Sequence, residues 1–308
     1  MDTRVHYDEL LRKVMVVKDR VRGVVHRQSN GVYLHGRPGT SKTYMVRSTL
    51  ENLAVPYCHH SGHLTPIGLF DLLAENRDRI VVLDDVSAIF NQPIALQILL
   101  AALGNPHDGS NVRLVKHKTA KETRCVPFTG GVICISNLPL DGHNHAVLAA
   151  LKDRAFVICY EPTDEQIVAL IEKVAGDGVD DVPPEKARMV AAFLVTECAA
   201  RGIRPSVRLY VDKAIKDYKL YAAKKCETHW QDLVVSNLEE QLVELKQPTT
   251  DLSRAEQVDA ERRIALDIYL TCETRGERCQ QWKARTAKSE PAFYRRVSEL
   301  RKAGCIPA

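Results

Sequence analysis

The sequence predicts an α/β fold: a five-stranded parallel sheet, then a helical region, then a C-terminal helical domain. Three observations predict it. Apolar, β-rich runs alternate with helical stretches through the first half of the chain. A glycine-rich loop joins the first of those runs to a helix. After Pro162 the strand signal stops. Alternation of strand and helix favours parallel pairing with helices on both faces.

Residues 4–26 carry Leu10, Leu11, Val14, Val17 and Val21 at helical spacing, which predicts an opening helix. The strand runs are Val32–His35, Val55–His59, Ile80–Asp84, Val132–Ser136 and Phe156–Tyr160. Strands buried on both sides read as continuous apolar runs, and Ile80–Asp84 and Val132–Ser136 do so. Residues 163–235 read as helical, interrupted by the acidic, proline-containing stretch Gly176–Pro184. A polar segment containing Gln247-Pro248-Thr249-Thr250 precedes a final helical block. The expected divisions are an N-terminal helix over 1–25, a core over 26–162, a helical region over 163–235, and a linker with a last domain over 236–308.

The 308 residues are 45% hydrophobic and 27% charged, enough to bury a substantial core in two or three domains. A net charge of +4 is too mild to signal nucleic acid by itself. The nine cysteines form no CxxC pair, and Cys134 and Cys159 sit in apolar runs as small hydrophobes do. A reducing, cytoplasmic setting is expected. The amino terminus lacks a signal-peptide apolar core, and no run of 18 apolar residues predicts a membrane span.

Residues 36–43 read Gly36-Arg37-Pro38-Gly39-Thr40-Ser41-Lys42-Thr43, after a strand and before a helix. That context is what a phosphate-binding P-loop, the Walker A element, requires. Its glycines let backbone N–H groups face the phosphates, and the helix N-terminus adds positive potential. Lys42 reaches the β- and γ-phosphates of ATP, and Thr43 places its hydroxyl on Mg²⁺. Ser41 stands where the usual pattern has glycine, and is tolerated only if its backbone stays in an ordinary region. Ile80–Asp85 lies downstream as a Walker B element, an apolar strand ending in two acids beside the loop. Asp84 would hold the Mg²⁺ shell and Asp85 would orient or deprotonate the attacking water.

With these residues the chain resembles the AAA+ superfamily of P-loop ATPases over about residues 26–220. Gly131–Leu138 resembles the sensor 1 strand, with Asn137 at its polar tip. Leu148–Ala155 resembles the helix end that carries the arginine finger, here Arg154. Ser206–Tyr210 resembles the sensor 2 helix start in the lid, here Arg208. The resemblance implies an ATPase core with a helical lid over 163–235. Asn137 would hold the lytic water, Arg208 would report γ-phosphate occupancy, and Arg154 would act on a neighbouring subunit's site. A homo-oligomer, ring or filament, is then expected. Asp85 departs from the family's usual glutamate, and its shorter side chain sits further from the water.

Residues 58–70 lack the aromatic–hydrophobic–glycine pore loop of peptide-threading members. Cys58, His59, His60 and His63 are zinc-competent side chains, but no second cluster supplies matching spacing. Residues 112–126 form a basic insert with Arg113, Lys116, Lys118, Lys121 and Arg124. Its alternation suggests a hairpin that either touches phosphate backbones or is merely solvated.

From Arg275 onward nine basic residues face three acids, an excess of +6. One helix ends near Arg285. Another starts after Ser289, buries Phe293, Val297 and Leu300 on one face, and stops at Gly304. This looks like a helix-turn-helix, with Lys288, Ser289, Arg295 and Arg296 as candidate DNA contacts. The domain order resembles DNA-acting members such as origin-recognition initiators and branch-migration motors. DNA-associated remodelling or loading is the leading expectation. The alternatives are a protein-remodelling ATPase whose basic tail grips a protein partner, and an ATP-gated switch with little turnover.

Overall fold

The computed structural model describes residues 3–106, 110–118, 122–140, 145–246, 254–272, 274–286 and 288–302. Lys121, the Gln247–Thr250 stretch and Gly304 lie outside the described residues. The chain divides into two compact units, Met1–Glu239 and Glu240–Ala308.

The first unit opens with α1 (Thr3–Val25), then β1 (Gly31–His35), α2 (Lys42–Asn52), β2 (Tyr57–Ser61), α3 (Pro66–Glu75), β3 (Ile80–Asp84) and α4 (Pro93–Leu103). A hairpin of β4 (Arg113–Lys118) and β5 (Thr123–Phe128) follows. Then come β6 (Gly131–Ser136), α5 (His145–Arg154) and β7 (Phe156–Cys159). The helical region comprises α6 (Asp164–Asp177), α7 (Pro184–Arg201), a π-helical segment Leu209–Ala214, α8 (Ile215–Ala222) and the start of α9 (Trp230–Lys246).

Five strands pair in parallel in the order β2-β3-β6-β1-β7. Alternate side chains sort to the two faces, as strand geometry requires. Val32, Leu34, Val82, Ile133 and Ile135 pack under α1 and α2. Tyr33, Val81, Leu83, Val132 and Cys134 pack against α3, α4 and α5. Full burial of each such side chain contributes about 1.5–3 kcal/mol. The continuous-burial expectation holds for β3 and β6, every residue of which is buried. β2 and β7, for which it was not made, are edge strands with exposed positions.

One expected boundary moves. β2 begins at Tyr57 rather than Val55, because Pro56 has no N–H to pair and Val55 N instead donates to Leu50 O, closing α2. The expected interruption within Gly176–Pro184 is present at 178–183, where Val179 and Val182 exchange two backbone hydrogen bonds, and the helical region breaks twice more than expected, at 202–206 and 223–229.

A capping box starts α6: Gln166 N donates to Thr163 Oγ1, and Thr163 N donates to Gln166 Oε1. Lys13 of α1 donates to Glu161 O and Gln166 Oε1, tying α1 to the same helix start.

In the second unit, α10 (Arg254–Thr271), α11 (Arg275–Thr286) and α12 (Glu290–Lys302) close on Ala265, Ile268, Trp282, Phe293, Val297 and Leu300. Trp282 Nε1 donates to Ser289 O across the α11–α12 turn, so the buried indole is satisfied.

Candidate functional site

Parallel register brings the carboxyl ends of β1, β3 and β6 to one edge of the sheet: His35 lies opposite Ser136, and Asp84 opposite Ile135. The residues that follow each strand therefore converge. Gly36–Ser41 leaves β1, Asp85 leaves β3 and Asn137 leaves β6. This is the edge at which open α/β sheets bind ligands.

The loop's glycines answer to close approach. A Cβ on Gly36 would lie 2.0 Å from Tyr160 O, and one on Gly39 would lie 2.8 Å from Ser206 Cβ. Ser41 does not keep the ordinary backbone that its tolerance seemed to require. Its φ of 66° and ψ of 24° are left-handed, the conformation glycine normally supplies. Holding a non-glycine residue there costs about 1–2 kcal/mol. Asp85 is also left-handed, at φ 53°, with its N–H donating to Ile135 O at 3.0 Å.

Lys42 is buried and donates to Gly36 O at 2.6 Å, Arg37 O at 2.7 Å and Asn137 Oδ1 at 2.9 Å. Burial lowers its pKa; Asp85, Glu161 and Asp84 oppose that shift, and Arg208 adds to it. Thr43 Oγ1 donates to Asp84 Oδ2 at 2.9 Å, and Asn137 Nδ2 donates to Asp85 Oδ1 at 3.1 Å. Lys42, Thr43, Asp84, Asp85, Asn137 and Arg208 all line one cavity of about 760 Å³. Thr40 closes the loop's turn by donating to Arg37 O at 3.0 Å. Arg154 is not among the residues of that lining; its Nη1 donates to Leu100 O at 3.3 Å.

Four features escaped the sequence reading. His59 Nε2 lies 3.2 Å from Asp84 Oδ2, placed there because β2 pairs with β3. Glu161 accepts the Arg37 N–H at 2.8 Å, so a residue beyond the last strand shapes the loop. The Arg37 side chain turns away from the loop to Asp164 at the start of α6, where Arg204 also pairs. The helical region is thus strapped to the P-loop, and Val207 N adds a bond to Gly39 O at 3.0 Å. Finally, α1 supplies Tyr7, Leu10, Leu11 and Val14 to the cavity wall, which Leu170 and Val174 of α6 also line. The sequence signal for the first of these was a pair of histidines, His59 and His60, at the end of a strand run.

The cavity suits a nucleoside triphosphate. An apolar wall meets a polar floor where Lys42 stands with Asp84 and Asp85, and the volume lies in the range of cofactor sites. Tyr160, in the lining, has a buried hydroxyl without a partner, which leaves one donor to satisfy. Burial raises that hydroxyl's pKa to about 12, keeping it a donor. The Thr43 hydroxyl and Asp84 carboxylate are hard oxygen donors, the chemistry Mg²⁺ prefers. Among the described residues no group of three or more His, Cys, Asp or Glu gathers as a metal site, and no helix is long and apolar enough to cross a membrane.

In the second unit, the four expected DNA contacts separate. Lys288 and Arg296 both bond Glu261, which is buried, and Arg296 also donates to Glu299 at 2.7 Å. Those two charges are neutralised inside the unit. Ser289 and Arg295 are exposed. Exposed with Arg295 on α12 are Glu290, Tyr294, Ser298 and Arg301, and Glu290 is paired with Arg275. In the hairpin, Arg113 is buried rather than solvated and Arg124 pairs with Asp71 at 2.7 Å, while Lys116 and Lys118 stay exposed.

No family model and no curated protein matches the chain. Among solved structures, it is similar to the Holliday-junction branch migration motor RuvB of Thermotoga maritima. The identity is 14%, over 94% of this chain and 87% of that one, with a TM-score of 0.43. A point mutant of the same protein gives 14% identity, coverage of 94% and 88%, and a TM-score of 0.44. The Aeropyrum pernix ORC1 protein in complex with DNA gives 13% identity, coverage of 95% and 83%, and a TM-score of 0.44.

Proposed function

We propose that this chain is an ATPase of the AAA+ kind that binds ATP with Mg²⁺ and acts on DNA, as an initiator, loader or remodelling motor. One observation carries the nucleotide part: two hydrogen-bonded groups, Lys42–Asn137–Asp85 and Thr43–Asp84, line one cavity at the sheet edge where the Gly36–Ser41 loop turns. In this reading, residues 26–162 are the nucleotide-binding core and 163–235 the lid.

Each residue has a role that its position supports. Lys42 exchanges the carbonyls of Gly36 and Arg37 for phosphate oxygens. Thr43 and Asp84 hold Mg²⁺, which supplies neutralisation of phosphate charge when bound. Asp85 orients the attacking water and accepts its proton, and Asn137 fixes the Asp85 carboxylate. Arg208 sits in the cavity wall and places a guanidinium near Lys42. Arg154, outside that wall, serves a second subunit's site in a homo-oligomer, where such an arginine is worth about 10³–10⁵ in rate. The DNA part rests on the exposed α12 face, where Arg295 and Arg301 are aligned with Tyr294 and Ser298.

Phosphate release measured with and without DNA tests both parts. ATP- and Mg²⁺-dependent release that DNA alters is expected; absence of DNA binding at low salt with ATP and Mg²⁺ would sink the DNA part. One observation favours a second reading, an ATP-gated switch with slow turnover. Asp85 is the shorter acid and its backbone is left-handed, which restricts where its carboxylate reaches. Tight nucleotide binding without phosphate release would select that reading.

A further inference from the structure

At the end of the sheet opposite the P-loop, a second cavity of about 180 Å³ opens among the amino-terminal ends of the strands, lined by Ile80, Gly131 and Arg113 among others. Arg113, the first residue of β4, is 5% exposed. Its Nε donates to Phe128 O at 3.3 Å and its Nη2 to Gly130 O, and the guanidinium lies 5.1 Å from the Phe128 ring centre. Its Nη1 is buried with no partner. Among the described residues no carboxylate pairs with it. The nearby charge that acts on it is another cation, Arg27, which also lines the cavity. Burial first, then Arg27, pushes the Arg113 pKa down to about 10.

A buried guanidinium that shares a cavity lining with a second guanidinium is unfavourable unless an anion joins them. The other lining groups point to the same ligand class. The Asn30 amide is spent on Leu103 O, Gly104 O and Asn105 Oδ1. The Ser29 hydroxyl donates to Gly31 O, and the Thr129 hydroxyl to Arg77 O. Asp78, the acid of the lining, forms no ion pair among the described residues. Asn111 adds a neutral amide to the lining, and the buried donor left without a partner is Arg113 Nη1, which calls for an acceptor.

We propose that this cavity binds a phosphate-sized oxyanion, held between Arg113 and Arg27 at the edge of the sheet remote from the nucleotide. The anion accepts from Arg113 Nη1 and from Arg27 and neutralises both. It thereby stabilises the base of the β4–β5 hairpin. Two sources share this chemistry, free orthophosphate and the terminal phosphate of a nucleic-acid strand.

The test is calorimetric titration of the full chain carrying Lys42→Ala, so that the P-loop does not contribute. Orthophosphate is expected to bind at one site. Arg27→Gln, at an exposed position, is expected to weaken it at least about tenfold, the loss of one charge-assisted hydrogen bond. Arg113→Gln is expected to abolish it; should that variant fail to fold, Arg27→Gln decides. A 5′-phosphorylated dinucleotide binding more tightly than orthophosphate, with its unphosphorylated form inert, assigns the site to a strand end, and the reverse order assigns it to the free ion. No binding, or binding that Arg27→Gln leaves unchanged, overturns the proposal.

Discussion

Thr43 and Asp84 are joined by a 2.9 Å hydrogen bond from hydroxyl to carboxylate, which links the first turn of α2 to the last residue of β3. The same Asp84 oxygen lies 3.2 Å from His59. A carboxylate oriented by a partner outside the metal's own ligands typically loses about 10–100-fold in metal affinity when that partner is removed. We predict that His59→Ala raises the Mg²⁺ concentration needed for tight nucleotide binding about tenfold, with Mg²⁺-free binding unchanged. His59→Gln, which restores a donor, recovers most of it. Titration of Mg²⁺ against a fluorescent nucleotide measures this, and an unchanged midpoint for His59→Ala would refute it.

Lys42→Ala is expected to abolish nucleotide binding, since the buried ammonium is already seated among the P-loop carbonyls. Equilibrium binding of labelled ATP checks it. Retained binding would mean that the cavity is not a triphosphate site.

Asp85→Asn separates binding from turnover. The substituted amide could still bond Asn137 but could not accept a proton. ATP is therefore expected to bind normally while phosphate release falls by about 10²-fold or more. If release is already negligible in the native chain, the substitution changes nothing and the switch reading stands.

Ser41→Gly relieves a left-handed serine at φ 66°. Stability should rise by about 1 kcal/mol if the gain in the folded loop outweighs glycine's extra unfolded-state freedom. Denaturant unfolding measures the change; a loss of stability would show that Ser41 contributes more through its contacts than its backbone costs.

In the second unit, Arg295 and Arg296 are neighbours with opposite fates. Arg295→Ala should weaken DNA binding and reduce the salt slope by about 1, leaving stability unchanged. Arg296→Ala should instead destabilise the unit by about 2 kcal/mol, because buried Glu261 keeps only Lys288 of these two partners. Salt-dependent binding and thermal melts of the full-length variants distinguish the two. The reverse pattern would place the DNA face on the other side of α12.

Local pattern alone was enough for most elements and for the strand–loop–helix around Gly36–Thr43. The apolar runs of β1, β3 and β6, the Gly36–Thr43 spacing and the paired acids at 84 and 85 are short-range signals, set by burial on two faces and by backbone geometry. They lose resolution where a neighbour decides. Pro56 moved the start of β2, and only the strand order makes β7 an exposed edge. Which charges are free also needed the packed chain. The basic residues 288, 295 and 296 look alike in sequence, but only the fold brings Glu261, 27 and 35 residues away, onto two of them. Arg113 reads as one more charge of a basic hairpin until the chain buries it without a carboxylate among the described residues. His59 reaches Asp84 through the parallel pairing of β2 with β3, and Arg37 leaves its loop for Asp164, 127 residues on. The sequence by itself determined which residue types could do phosphate chemistry and in which strand and loop they sit. Tertiary structure alone decided which of them meet, because ion pairing and desolvation depend on distances that only the folded chain sets.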